Sequence, residues 1–338
     1  LYSSAASDVY KRQDSYYNAI INWVKQRYDL IVTKEVINFV PGIVPGIGMA
    51  MNCFTQKGDK VMIQPPVYHP FAWVTTRNER TLVINPLKWE NGMYRMDLDA
   101  FREQIKGCKL FILCNPHNPG GVVWTEAELR AIADICYDEK VLVFSDEIHA
   151  DLTLPPHTHR PFATVSEKAR MNSVTFMSPS KAFNMPGLSA SHALIFNEDL
   201  RKRFRIYMDA GELDMGHVFA FLSVEAAYSH GTEWLDQCLA YIQGNIDFVD
   251  DFLKNHAPKI KAIRPEASYL VWLDCRELKL SQKDLNEFFV DKAHLALNDG
   301  EMFGKEGIGF MRLNVASPRC IIEKAMKQLA DAYQLYIK

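Results

Sequence analysis

Residues 109–149 read KLFILCNPHNPGGVVWTEAELRAIADICYDEKVLVFSDEIH. Two near-continuous apolar runs, KLFILC and KVLVFS, flank a segment of different texture. Runs without polar alternation are the signature of parallel strands covered on both faces. The middle segment carries Leu129, Ile132, Ala133 and Cys136 at helical spacing, and Thr125 with Glu128 makes a capping-box pair at its start. Strand, helix and strand of these lengths form a βαβ unit, so the sheet is expected to be mostly parallel with helices on its faces.

The surrounding chain repeats this alternation. SVTFM (173–177) is a third buried run, and DKVMIQ (59–64) and TLVINPL (81–87) read as further strands. VPGIVPGIGMAMNCF (40–54) is a Gly/Pro-rich turn opening a helix, and DSYYNAIINWVKQRYD (14–29) places Tyr17, Ile20, Ile21 and Val24 on one helical stripe. Beyond about residue 243 the texture changes. The helical NIDFVDDFLKNH leads to SYLVWLDC, with alternating strand character, then a helix, the strand FMRLNVA and a final helix. The expectation is an α/β large domain over 14–243 and a smaller α+β domain over 244–338. Residues 1–13, LYSSAASDVYKRQ, lack either periodicity and read as non-native or disordered.

Composition narrows the function. The chain has 338 residues, enough for two cores, and a net charge of −3, against a phosphate-backbone binder. No nucleic-acid partner is expected. No apolar stretch approaches a bilayer span and no secretory signal is visible, so no membrane partner is expected either. Seven cysteines are scattered without a CxxC pair, as in a reduced, cytoplasmic protein. His149, His157 and His159 lie close in sequence, but no carboxylate or thiolate at ligand spacing joins them, and no metal is expected.

Three buried strands end in polar residues. KLFILC runs into Asn118 within NPHNPGG, KVLVFS into Asp146 within SDEIH, and SVTFM into Lys181 within SPSKAFNMPGL. Ligands of open α/β sheets bind at the carboxyl ends of the strands. Singly, each residue has a plainer reading: a turn asparagine, a helix-capping aspartate, a solvated lysine. Their joint placement points to one crevice.

These three motifs, with Asn118 and Asp146 28 positions apart and Asp146 and Lys181 35 apart, resemble the fold type I pyridoxal-phosphate enzymes of the class I/II aminotransferase superfamily. SDEIH, SKAFNMPGL and LNDGEMFGKEGIGFMRLN are most similar to its cystathionine β-lyase, or cysteine C–S lyase, branch. The resemblance runs from about residue 14 to the C-terminus. It implies pyridoxal 5'-phosphate as cofactor and Lys181 as the imine-forming lysine and later the base at Cα. A partly desolvated lysine has a lowered pKa and suits both tasks. Asp146 would face the ring nitrogen, Asn118 the phenolic oxygen and Tyr68 the ring face, although Tyr68 also reads as a core aromatic. The amides of Ile43 and Val44 and the hydroxyls of Ser178 and Ser180 would take the phosphate. Many relatives carry an arginine eight positions beyond the lysine; here that residue is Ser189. Arg312 would grip a substrate carboxylate, with a structural salt bridge as its alternative. His149 stands where many aminotransferases have a tyrosine, which favours C–S β-elimination of cystathionine, cysteine or related S-conjugates over transamination. The expected partner is a small sulfur-containing amino acid, and the expected assembly a homodimer. The alternatives are an aminotransferase and a non-catalytic regulator that binds a protein partner.

Overall fold

The computed structural model describes residues 14–336. The reading of residues 1–13 as non-native lies outside the described residues. Strands β1 (Ile37–Val40), β2 (Lys60–Ile63), β3 (Thr81–Ile84), β6 (Cys108–Cys114), β7 (Leu142–Asp146), β8 (Ser173–Met177) and β9 (Ser191–Leu194) make one sheet, in the order β1-β9-β8-β7-β6-β2-β3. The pairings from β8 to β3 are parallel, and β9 runs antiparallel to both of its neighbours. A separate hairpin joins β4 (Lys88–Glu90) and β5 (Met93–Arg95).

The sheet is covered on both faces, as the unbroken apolar runs require. In β6, Leu110, Ile112 and Cys114 enter one core while Phe111 and Leu113 enter another. Helices α2 (Ile43–Phe54), α3 (Pro70–Arg77) and α7 (Glu198–Ala210) cover the first face. Helices α4 (Leu98–Gln104), α5 (Glu126–Asp138) and α6 (Glu167–Met171) cover the second. Helix α5 begins with the expected capping box: the Thr125 hydroxyl accepts from the Glu128 N–H, and the Glu128 carboxylate accepts from the Thr125 N–H.

The third core gathers α1 (Asp14–Tyr28), α8 (Val218–His230), α9 (Thr232–His256) and α11 (Arg319–Tyr336). Helix α1 buries Tyr16, Ala19, Ile20, Trp23 and Val24, and the expected Tyr17 and Ile21 are only partly covered. The face is rotated because Trp23 stacks on Tyr228 and donates its indole N–H to Asp151, 2.9 Å away. The division expected at 243/244 falls inside α9, so a continuous rod of 25 residues joins the two parts instead of a linker. The C-terminal part holds a four-stranded antiparallel sheet, β10 (Lys261–Ile263), β11 (Leu270–Asp274), β13 (Phe310–Asn314) and β12 (Asn298–Asp299), with the short helix α10 (Gln282–Glu287). The alternation read in SYLVWLDC separates two cores, not core from water: Val271 and Leu273 enter the third, and Trp272 enters the second, stacked on Phe310. Among the described residues no helix is long and apolar enough to cross a membrane.

The loop NPHNPGG is clamped to the C-terminal part. The Gly121 carbonyl accepts from the Glu266 and Ala267 N–H groups, and Gly121 has φ +67. A β-carbon there would lie 2.5 Å from the Pro265 side chain, whereas at Gly107, also of positive φ, it would meet nothing within 4 Å. Gly107→Ala is therefore expected to cost only the left-handed backbone term, about 1 kcal/mol. Gly121→Ala adds overpacking and should cost about 3 kcal/mol or more. Denaturant melts of the two variants check the difference.

Candidate active site

The carboxyl ends of β6, β7 and β8 open into one cavity of about 510 Å³ lined by Asn118, Asp146, Ser180, Lys181, Tyr68 and Arg312 together with the start of α2 at Ile43 and Val44. The three strand-end residues singled out in the sequence thus converge, along with five of the six remaining candidates. Their positions follow from the strands. β7 carries Asp146 as its last residue, paired with Cys114 and Phe176 on its neighbours, and the chain leaves each neighbour toward Asn118 or Lys181.

Asp146 is buried and accepts the Ile148 N–H at 3.1 Å. Burial pushes its pKa up to about 7, and the neighbouring Glu147 adds to the rise, while Lys181 opposes it. Lys181 is half-buried; desolvation lowers its pKa, and the Arg312 charge lowers it further. His149 lines the cavity, and burial together with Lys181 and Arg312 holds its pKa down to about 3, so its ring is neutral. Its Nδ1 has no hydrogen-bond partner. Tyr68 is partly buried, packed edge-on against Phe71.

Arg312 reaches the cavity from β13. Its guanidinium donates to Asn118 Oδ1 at 2.9 Å and to Asn298 Oδ1 at 2.7 Å, and lies 4.6 Å from the Phe303 ring centroid. Among the described residues no carboxylate pairs with it, so the alternative of a structural salt bridge does not apply; its Nε is unpartnered. Desolvation lowers its pKa to about 10, still cationic at neutral pH. The contact with Asn118 spans 194 positions and had no signal in the sequence.

Helix α2 begins at Ile43 after Gly42, whose φ is +148, and the first amides of a helix have no intrahelical acceptor. Pro45 at the third position has no N–H, so the Ile43 and Val44 amides are the donors available there. Ser178 is not among the cavity-lining residues. Its hydroxyl lies 2.8 Å from the Ala190 carbonyl and 2.9 Å from Ser180 Oγ, and it accepts the Ser180 N–H, so it shapes the turn behind Ser180. Ser189, standing where many relatives have arginine, lines the cavity with φ +47.

The three histidines do not converge. His149 faces the cavity, His157 lies 3.7 Å from Glu266, and His159 makes a buried 2.8 Å pair with Glu147. Tyr269 and Asn314 also line the cavity and were not singled out; the only hint was their position at the two edges of the buried runs LVWL and FMRL.

A lone buried carboxylate, a lysine of lowered pKa, a helix start with two open amides and an arginine without an acid fit the expected cofactor and an amino-acid substrate. The model of the family described as aminotransferase class I and II matches residues 9–329. Cystathionine beta-lyase PatB of Bacillus subtilis (strain 168) is 38% identical over 317 residues, 93% of this chain and 82% of that protein. The crystal structure of cystalysin from Treponema denticola, which contains a pyridoxal 5'-phosphate cofactor, superposes with a TM-score of 0.94 at 34% identity, over 96% of this chain and 83% of that one. The PLP-bound C-S lyase from Staphylococcus hominis gives a TM-score of 0.88 at 33% identity, over 95% of this chain and 82% of that one. The chain therefore belongs to the class I and II aminotransferase family, as a pyridoxal-phosphate-dependent C–S β-lyase.

Proposed function

We propose that the substrates are amino acids bearing sulfur on Cβ (cystathionine, cysteine or related S-conjugates) and that the products are a thiol, ammonia and pyruvate. The observation that carries this reading is the convergence of Lys181, Asp146, Asn118 and an acid-free Arg312 on one cavity.

Lys181 would hold pyridoxal phosphate covalently, Asp146 would hold its ring nitrogen, Asn118 its phenolic oxygen and Tyr68 its ring face. The Ile43 and Val44 amides and the Ser180 hydroxyl would take the phosphate, with Ser178 bracing Ser180. When bound, the cofactor supplies an electron sink for the charge that develops at the substrate Cα. Arg312 grips the substrate carboxylate with its planar fork and already borrows Asn118 as an anchor, which fixes the approach of Cα. The lowered proton affinity of Lys181 leaves more of its amine free near neutral pH, so it can take the Cα proton. With the C–S bond broken, its electron pair leaves on sulfur and is protonated to the thiol. Water then completes the balance: one S-substituted cysteine plus one water gives one thiol, one pyruvate and one ammonium. Neutral His149 brings no charge to compete for the carboxylate. The same fold could transaminate, and the two outcomes differ in whether a 2-oxo acid is needed.

We also propose a homodimer. The exposed Met215, just before α8, and Phe219 and Leu222 in its first turns are apolar side chains that a second subunit would cover.

Fed L-cystathionine, L-cysteine or an S-alkyl cysteine without any 2-oxo acid, the loaded enzyme is expected to release pyruvate and thiol. Turnover that appears only after a 2-oxo acid is added would overturn the substrate reading. Lys181→Ala should release none and should lose the near-visible absorption band that marks covalent attachment. A second outcome follows from Asp146. Because burial raises its folded pKa above the unfolded value near 3.9, the folded carboxyl keeps a proton that the unfolded chain has released. The Asp146 contribution to the stability of the cofactor-free protein should fall as pH rises from about 4 to about 7 and level off above that, while the buried His117, His149 and His192, whose pKa values burial lowers, contribute in the opposite direction. Asp146→Asn should remove this contribution alone: its stability relative to the parent should grow from near zero at pH 4 to a few kcal/mol at pH 8 in thermal melts, and it should lose affinity for the cofactor. Sedimentation of the loaded protein at micromolar concentration should report twice the mass of one chain; a single-chain mass would refute the dimer.

A further inference from the structure

A second cavity of about 320 Å³ adjoins the first and shares Lys181, Tyr269 and Asn314 with it. Its remaining walls come from Leu152, Ala182 and the polar Asn184, from the α9 residues Trp234, Cys238, Tyr241 and Ile242, and from the segment Ala316–Pro318 after β13. It therefore lies on the lysine side of the main cavity, between the two parts of the molecule.

The lining carries one charged side chain, the shared Lys181. Two neighbouring groups are tied up. Arg319, next after Pro318, donates from Nε to Asn245 Oδ1 at 2.8 Å and lies 4.8 Å from the Phe248 ring centroid. Tyr241 accepts the Arg319 N–H through its hydroxyl. Burial raises the Cys238 pKa, so its thiol is neutral. Trp234 is fixed as a wall: it stacks on Phe183, whose ring meets Trp23 and Tyr228 edge-on.

We propose that this cavity receives the part of the substrate beyond the Cβ–S bond, and that its neutral, largely apolar lining selects S-conjugates whose sulfur carries an apolar alkyl or arylalkyl group. The proposal rests on the C–S lyase reading. A substrate held at its carboxylate by Arg312 and at Cα by Lys181 has one substituent left to place, and this is the space that opens beside Lys181. A distal ammonium, as in cystathionine, would find no acid on the walls, and a distal carboxylate no cation but Lys181, which is engaged at Cα; unpaired charges leave water only at considerable cost. An apolar substituent loses nothing by leaving water. Each methylene buried is worth about 0.8 kcal/mol, which is about a fourfold gain. A thiolate released there also meets the one cation that lines both cavities.

The loaded enzyme is tested with S-methyl-, S-ethyl-, S-propyl- and S-benzyl-L-cysteine beside L-cystathionine and L-cysteine. kcat/KM is expected to rise up to about fourfold per added methylene and to be lowest, among the long substrates, for cystathionine. Cys238→Trp, which fills the cavity, should lower the ratio of kcat/KM for S-benzyl-cysteine to that for cysteine at least tenfold. Ala316→Arg, at an exposed position, should shift the ratio toward cystathionine while leaving the cofactor absorption band in place. Both variants leaving the ratios at the parent values, or a parent preference for cystathionine, would overturn the proposal. If no substrate yields pyruvate, the lyase reading fails separately. The cavity is then read from the spectral change on binding: tighter binding of S-benzyl-cysteine than of alanine, erased by Cys238→Trp, supports it, and equal binding refutes it.

Discussion

The hydrogen bond from Arg312 to Asn118 is the contact on which the site depends. It joins β13 of the antiparallel sheet to the loop that follows β6 of the parallel sheet. Arg312 has no acid paired with it among the described residues. An arginine neutralised by a carboxylate would be structural and inert toward substrate. Held by two asparagine oxygens and the Phe303 ring, Arg312 is oriented without losing its charge. The same bond aligns Asn118, so the group that would hold the cofactor and the group that would hold the substrate are set by one contact. The Gly121 carbonyl, three residues on, seals the junction by accepting two N–H groups from the C-terminal part.

The molecule keeps several ionisable groups out of water, and they divide by partner. Glu147 accepts from Ser145, from the Phe162 N–H and from His159, and Asp151 accepts from Trp23 and Tyr28. These satisfied clusters tie α1 and the loop after β7 into the core, where a missing partner would be costly. Asp146, one residue before Glu147, has only a single N–H. Its incomplete satisfaction destabilises the fold locally, and it is the carboxylate that faces the cavity. The position proposed to hold the cofactor ring is the one where polar satisfaction is incomplete.

Much of this could be read in advance. KLFILC, KVLVFS and SVTFM were recognisable because strands buried on both faces need apolar side chains at every position. TEAELRAIADICYDE was recognisable because capping and helical spacing are local. Lys181, Asp146 and Asn118 followed as the residues at those strand ends. What was less legible has the opposite origin. The stripe of α1 is rotated by the distant Tyr228 and Asp151, and the division placed at 243/244 lies within α9, because a helix that packs on both parts shows no break in its own periodicity. The alternation in SYLVWLDC gave no sign that its two faces enter different cores.

By itself the sequence determined the parallel βαβ frame, the polar residues at its carboxyl edge and the chemistry that a lysine, a carboxylate and an amide there would share. The frame and its edges are properties of residues within a few positions of one another, where periodicity and capping report burial directly, and the shared chemistry is what the resemblance of the three motifs implies. The tertiary structure alone decided that Arg312 rests on Asn118 rather than on an acid, that Ser178 turns behind Ser180, and that a neutral cavity adjoins Lys181. The first and the last depend on which distant surfaces meet, and packing across 194 positions leaves no trace in the local pattern of either segment; the Ser178 turn is local, but its hydroxyl is fixed by the Ala190 carbonyl at the approach to β9.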